Sequence, residues 1–125
     1  MSSSLKKILI IDDFEVNTYA IGMALKMAGF EIFKATSGKE VLETYSEANF
    51  DIVITDYKMP EMNGLQLIDE LKKLPNFKYT PMIILSSEND EEVKRKARGK
   101  GVVAWINKPF KIEQFVSIVK KALQQ

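Results

Sequence analysis

Five residues with chemically useful side chains follow short apolar runs of the chain: Asp12, Asp13, Asp56, Ser86 and Lys108. Each alone has an ordinary explanation, because an Asp after a strand is commonly a turn residue or a helix cap. Their recurrence after four different runs indicates one shared site, provided that the fold brings the ends of those runs together.

These side chains would form an acidic set with one cation and one hydroxyl. Three carboxylates against one ammonium leave a formal charge of −2, which an oxygen-seeking ion such as Mg²⁺ would neutralise. Asp13 and Asp56 are the expected direct ligands, with Asp12 binding directly or through a water. A carboxylate can also act as a nucleophile and form an aspartyl phosphate. The metal, Lys108 and Ser86 would then stabilise charge on the transferred phosphoryl oxygens.

The composition excludes several other kinds of chemistry. The 125 residues contain no Cys and no His, which excludes thiolate nucleophiles, Cys zinc sites, Ser-His-Asp triads and a histidine phosphodonor. The formal net charge of +1 argues against direct nucleic-acid binding. No apolar run is long enough for a signal peptide or a membrane span, so we expect a cytoplasmic protein without membrane contact.

Hydrophobic patterning predicts the strands that must position these residues. Four short runs rich in β-branched residues are typical of strands buried on both faces of a parallel sheet: Ile8–Ile11, Ile52–Ile54, Met82–Leu85 and Val102–Ile106. The segment Glu31–Ala35 alternates instead, which predicts a less buried edge strand.

Helical patterns follow each predicted strand. The first helix, Glu15–Ala28, is expected to end at Gly29 and to present an apolar stripe: Val16, Tyr19, Ala20, Met23, Ala24 and Met27. The second helix begins at a capping box of Ser37 and Glu40, ahead of Val41, Leu42, Tyr45 and Ala48.

Three more helices are predicted at about 63–74, 89–99 and 112–123. The fourth helix has only Val93 and Ala97 to bury, so it should be the most loosely packed. The last carries one apolar stripe: Ile112, Phe115, Val116, Val119, Ala122 and Leu123.

Five alternations of strand and helix predict an α/β fold, a doubly wound five-stranded parallel sheet of the flavodoxin-like order 2-1-3-4-5. We expect one domain over residues 6–125, preceded by an N-terminal tail of residues 1–5. In such a sheet, ligands bind outside the carboxyl ends of the strands, where the five candidate residues would meet.

Four motifs resemble the receiver domains of response regulators in two-component signal transduction, of the CheY-like kind. They are Ile10–Asp13 (IIDD), Thr55–Gly64 (TDYKMPEMNG), Pro81–Ser87 (PMIILSS) and Lys108–Phe110 (KPF). The resemblance extends from about residue 6 to the end of the chain. Jointly the motifs are highly specific.

The resemblance implies that Asp56 accepts the phosphoryl group and that Ser86 and Lys108 contact it. It also implies that Mg²⁺ is held by Asp12, Asp13, Asp56 and the backbone carbonyl of Lys58. Lys58 and Glu88 would flank the site and tune the lifetime of the phosphorylated state. The peptide between Lys108 and Pro109 would be cis, which only a following proline makes favourable enough.

Trp105 stands where the family usually has a Tyr or Phe that reorients on activation, so the resemblance implies a switch role together with Ser86. A large aromatic in a buried strand is otherwise a core residue. Ser86 stands where Thr is commoner, which leaves its rotamer freer. Both departures from the family pattern put the coupling between the two residues in question, not phosphorylation itself.

The resemblance implies a sensor histidine kinase as phosphodonor and a protein target on the face of the fourth helix, fifth strand and fifth helix. The charges of the fourth helix also suit its own dipole without any partner. A chemotaxis-type receiver that acts alone, as a monomer or a phosphorylation-dependent dimer, is one interpretation. A receiver excised from a hybrid kinase or larger regulator is another, supported by Asp13–Asn17 (DFEVN).

Two further classes compete with the switch: a metabolic enzyme, and a binding module that is either a nucleotide binder or a scaffold. A phosphatase of the haloacid-dehalogenase type would need a carboxylate two residues after the nucleophile, where this chain has Lys58, so we expect no metabolic enzyme. A flavodoxin-like nucleotide binder would need a phosphate-binding loop after the first strand, and that loop lacks one. A receiver used only as a phosphate-independent scaffold would be expected to have a damaged acceptor site, whereas the acceptor site of this sequence is intact.

Overall fold

The structure, a computed structural model, describes residues 5–124 without the side chains of Glu15 and Asn17. Residues 1–4 of the predicted tail and the last residue of the predicted domain lie outside the described residues. Five strands alternate with five helices and one 3₁₀ turn: β1 Lys7–Ile11, α1 Glu15–Met27, β2 Glu31–Ala35, α2 Gly38–Thr44, β3 Ile52–Asp56, α3 Gly64–Lys72, the turn Pro75–Phe77, β4 Met82–Ser86, α4 Glu91–Arg98, β5 Val102–Asn107 and α5 Ile112–Leu123.

All strand pairs are parallel, and the order is β2-β1-β3-β4-β5, which confirms the predicted fold. β3 and β4 are buried along their whole length, whereas β2 is partly exposed, as its alternating sequence predicts. The prediction that β5 is buried on both faces is wrong, because β5 lies at the edge of the sheet and its Val103 is exposed. Uninterrupted apolar runs suit central strands because helices cover both faces of a parallel sheet.

Successive strand residues point to opposite faces and build two cores. Leu9 and Ile11 join a core under α2, α3 and α4, whereas Ile8 and Ile10 join a core under α1 and α5. Burial of these aliphatic side chains contributes about 1.5–3 kcal/mol each. The sheet is therefore a rigid support for the residues at its carboxyl edge.

The buried face of α1 differs from the predicted stripe. The helix buries Thr18, Ile21 and Leu25, while Val16, Tyr19, Met23 and Met27 are exposed. Apolar residues occur on both sides of this helix, so their spacing alone does not decide which side faces the sheet. In α5 the predicted stripe is mostly right, with Phe115 and Val119 buried, although Ile112 is exposed.

The helix ends correct several predicted details. The Ser37 hydroxyl accepts a hydrogen bond from the Glu40 N–H, but the Glu40 carboxylate accepts from the Thr36 N–H and not from Ser37. A reciprocal capping box is present instead between Asn63 and Gln66 at the start of α3, where the sequence pattern predicts only the beginning of a helix. α2 ends at Thr44, before Tyr45 and Ala48 of its predicted stripe.

α4 buries little, as predicted. Ala97 is its buried residue, and Val93 is half-buried against the core. The Asp90 carboxylate caps the helix by accepting from the N–H groups of Glu92 and Val93. Among residues 5–124, no helix combines the length and apolarity needed to cross a bilayer.

Candidate functional site

The carboxyl ends of the strands bring the predicted residues to one edge of the sheet. Asp12 follows β1, and its N–H donates to the Ala35 carbonyl at the end of β2. Asp56 and Ser86 are the last residues of β3 and β4, one position inside the strands rather than after them as expected. Lys108 follows β5, and its N–H donates to the Ser86 carbonyl at 2.8 Å.

The three carboxylates converge. One oxygen from each of Asp12, Asp13 and Asp56 lies within 4.8 Å of the others. Asp12 and Asp56 are buried and Asp13 is exposed. The Asp12 Oδ1 atom accepts a hydrogen bond of 2.9 Å from the Phe14 N–H, which fixes the orientation of this carboxylate. An open cleft of about 230 Å³ is lined by these carboxylates with Phe14 and Lys108.

Lys108 is the cation of the cleft. Its Nζ atom lies 2.7 Å from Oδ1 of Asp56 and 3.7 Å from Oδ2 of Asp12. Burial raises the pKa of the Asp56 carboxyl above its ordinary value, the hydrogen bond from Lys108 opposes this, and the neighbouring charges of Asp12 and Asp13 add to it. One ammonium does not neutralise three clustered carboxylates, so the site favours a further cation.

The backbone around Asp56 is held tightly. The Thr55 hydroxyl donates to the Asp56 carbonyl at 3.0 Å. Gly64 packs so close that a Cβ atom there would lie 2.6 Å from the same carbonyl oxygen, so only glycine allows α3 to begin at this distance from the strand end. The acceptor carboxylate thus stands on a rigid support.

Ser86 is buried, and its Oγ atom accepts a hydrogen bond of 2.8 Å from the Glu88 N–H. That contact uses a lone pair, which leaves the hydroxyl proton for donation to an incoming oxygen. Ser86 does not line the cleft itself. The Lys108–Pro109 peptide is cis, as the resemblance implied.

The side chains of Lys58 and Glu88 are exposed, and neither lines the cleft. Their tuning role and the Lys58 carbonyl as a metal ligand therefore stay predictions.

Two residues of this region escaped the sequence analysis. Phe14 lines the cleft, and Tyr57 packs its ring against Trp105 with centroids 5.6 Å apart. Trp105 is half-buried, and its Nε1–H is buried without an acceptor among the described residues. Tyr57 lies inside the quoted motif next to Asp56, but nothing in the sequence pairs it with a residue 48 positions away.

Comparison with known proteins decides the family. The family profile described as "Response regulator receiver domain" matches residues 8–120. The chain belongs to this receiver domain family.

Relatives of this receiver domain include both short and long proteins. It is 34% identical over 114 residues to two-component response regulator ORR8 of Oryza sativa subsp. indica, covering 90% of this chain and 94% of that protein. It is 29% identical to regulatory protein AtoC of Escherichia coli K12, covering 98% of this chain but 26% of that protein. The structure of chemotaxis response regulator CheY4 of Vibrio cholerae matches with a TM-score of 0.88 and 28% identity, covering 95% of this chain and 99% of that one.

Proposed function

We propose that this receiver domain is a phosphorylation-activated switch that accepts a phosphoryl group on Asp56. The observation that carries the proposal is the convergence of Asp12, Asp13 and Asp56 at one cleft with Lys108 2.7 Å from the acceptor oxygen. A structural ion pair would need neither the second nor the third carboxylate.

Mg²⁺ fits the donor set of the cleft. The ligand atoms are carboxylate oxygens, the site carries excess negative charge, and its open side leaves room for waters and phosphate oxygens, which this ion prefers. Asp12, Asp13 and Asp56 would hold it, with the Lys58 carbonyl as a further ligand. When bound, the ion would neutralise charge on the transferring phosphoryl group.

The positions of the side chains support the following phosphoryl transfer. An Asp56 carboxylate oxygen attacks phosphorus, and the bond from phosphorus to the donor breaks with its electron pair leaving on the donor. A phosphohistidine of a sensor kinase or a small acyl phosphate can serve as donor. Lys108 then exchanges its contact with the Asp56 carboxylate for one with a phosphoryl oxygen, and the Ser86 hydroxyl donates to another.

The new group biases a pre-existing equilibrium of the domain. Drawing Ser86 towards the phosphoryl group shifts the segment before α4 and thereby Trp105. This changes the face formed by α4, β5 and α5, which we assign to the protein target. Hydrolysis of the acyl phosphate resets the switch, and Lys58 and Glu88 tune the lifetime of the phosphorylated state. The domain thus acts as a switch and not as a metabolic enzyme.

The setting of the switch is part of the proposal. Similarity to the chemotaxis response regulator CheY4 supports a chemotaxis-type receiver. We place it in the cytoplasm, as a monomer or a phosphorylation-dependent dimer. The match to one quarter of AtoC supports the alternative of a receiver within a longer regulator.

The test is the intact mass after incubation with acetyl phosphate and Mg²⁺. We expect a gain of one phosphoryl group in the wild type and in Asp69→Asn, a control on α3. The gain should be absent in EDTA and in Asp56→Asn. A gain that persists in Asp56→Asn at the wild-type rate, or no gain in any protein with any donor, would overturn the proposal.

A further inference from the structure

Trp105 occupies a position that its own hydrogen bonding does not explain. The indole Nε1–H is buried with no acceptor among the described residues, a condition that costs about 1–3 kcal/mol. Native proteins satisfy most buried donors, so such an exception calls for a reason. Packing must therefore hold the indole in this orientation.

The Tyr57 ring supplies a specific part of that packing. The two ring centroids lie 5.6 Å apart with an interplanar angle of 47°, and aromatic pairs at such distances contribute about 0.5–1.5 kcal/mol beyond their buried area. Both residues also contact the core under α2, α3 and α4. Trp105 also lines a groove of about 300 Å³ with Ala97 and Arg98 of α4.

Tyr57 is also tied to the elements that phosphorylation would move. It follows Asp56 directly, its N–H donates to the carbonyl of Leu85, and Leu85 precedes Ser86. Its carbonyl accepts from the Gly64 N–H at the start of α3. Because hydrogen bonds hold both the N–H and the carbonyl of Tyr57, a shift at the end of β4 would move the Tyr57 ring and with it the Trp105 ring that packs against it.

The geometry points to Tyr57 as a positioning residue that couples the state of Asp56 to the orientation of Trp105 through the contact between their rings. This rests on the proposed function, because it supposes that phosphorylation changes Trp105. A second route competes with it: Trp105 is the register partner of Ile84 in β4, so strand pairing alone could carry the shift.

Trp105 is the chain's single Trp, so its selectively excited fluorescence reports on this one ring. The probe is beryllofluoride with Mg²⁺, a mimic of the phosphoryl group, added to the full chain. Tyr57→Phe keeps the ring, whereas Tyr57→Leu and Tyr57→Met keep apolar bulk without it. Tyr79→Leu is the matched control, since Tyr79 is 86% exposed.

We expect the fluorescence response of wild type in Tyr57→Phe and Tyr79→Leu, and loss of that response in Tyr57→Leu and Tyr57→Met. Phosphoryl uptake by intact mass should continue in all five proteins, and urea unfolding confirms that each is folded. A full response in a folded Tyr57→Leu or Tyr57→Met variant would overturn the inference in favour of the strand route. Loss of uptake in these variants would also overturn it, by placing Tyr57 at the acceptor site.

The two proposals fail differently. Uptake by the wild type without any Trp105 response would overturn the coupling and leave Asp56 as acceptor. Absence of uptake in the wild type would overturn the proposed function first.

Discussion

The two ends of the sheet differ in how their charged side chains are compensated. At the amino end, the Lys72 ammonium donates to the carbonyls of Lys78 and Thr80 at 3.2 and 2.6 Å, and burial lowers its pKa. At the carboxyl end, Lys108 faces a cluster of three carboxylates that it cannot neutralise.

This difference indicates a structural role for the charged residue at the amino end and a functional role for those at the carboxyl end. Gly101, with a φ of 91°, leaves room for the Lys72 stem, since a Cβ there would lie 2.9 Å from its Cε atom. At the amino end, the Lys72 ammonium therefore has hydrogen-bond partners within the protein and needs no ligand. The carboxyl end violates charge balance, and such violations concentrate at functional sites because a ligand resolves them.

The largest effect should come from the cation of the carboxyl end. We expect Lys108→Ala to slow phosphoryl uptake from acetyl phosphate by about 100-fold or more, the usual effect of removing one stabilising donor. Lys72→Met should leave the rate unchanged. The rates are measured by intact mass. Equal rates in wild type and Lys108→Ala would contradict a functional role of Lys108 at the carboxyl end.

The amino end should dominate stability instead. Lys72→Met keeps the apolar stem but leaves two carbonyls without their donor, so the free energy of unfolding should fall by about 1–3 kcal/mol. Urea denaturation measures this. An unchanged free energy of unfolding would show that water satisfies the two carbonyls equally well. The Lys72 ammonium would then not be the group that stabilises the amino end.

Metal affinity sharpens the comparison at the carboxyl end. Asp13→Asn removes the exposed carboxylate of the cluster, and we expect Mg²⁺ affinity to fall by about tenfold, since fewer carboxylates bind this ion less well. Calorimetric titration gives the affinity. Asp69→Asn, which removes a carboxylate outside the cluster, should bind as wild type does, and an equal loss in both would point to a general charge effect.

The smallest predicted effect is a pH-dependent gain in stability. Because burial raises the folded-state pKa of Asp56, the charged carboxylate destabilises the fold above that pKa, and the cost disappears as pH falls below the usual value of about 3.9. In metal-free buffer, Asp56→Asn should have a larger free energy of unfolding than the wild type at neutral pH and no such advantage in acid, which urea denaturation at a series of pH values measures. A gain that is constant with pH would contradict this origin.

The sheet and the acidic site were predictable because both follow from topology. Uninterrupted runs such as Ile52–Ile54 mark central strands, and parallel strands end on one edge, so Asp12 and Asp56 meet although 44 positions separate them. The convergence of these residues can thus be predicted from the strand order without knowing how the side chains pack.

The sequence-based predictions are wrong or silent where side-chain packing decides between several arrangements that the sequence pattern allows equally. α5 is apolar on one side and was oriented correctly, whereas α1 has apolar residues all round, and its Val16 and Met27 remain exposed. The ring contact of Tyr57 and Trp105 depends on how side chains pack after the strands are placed. The same holds for the indole N–H, which has no acceptor in the described part of the chain. No spacing rule carries that information.

The most direct measurement locates the phosphoryl group itself. After incubation with acetyl phosphate and Mg²⁺, borohydride reduces an acyl phosphate of aspartate to homoserine, and peptide mass spectrometry identifies the converted position. We predict homoserine at position 56 alone, dependent on metal. Conversion at Asp12 or Asp13, or phosphoryl uptake without any conversion at position 56, would contradict the assignment of Asp56 as the acceptor.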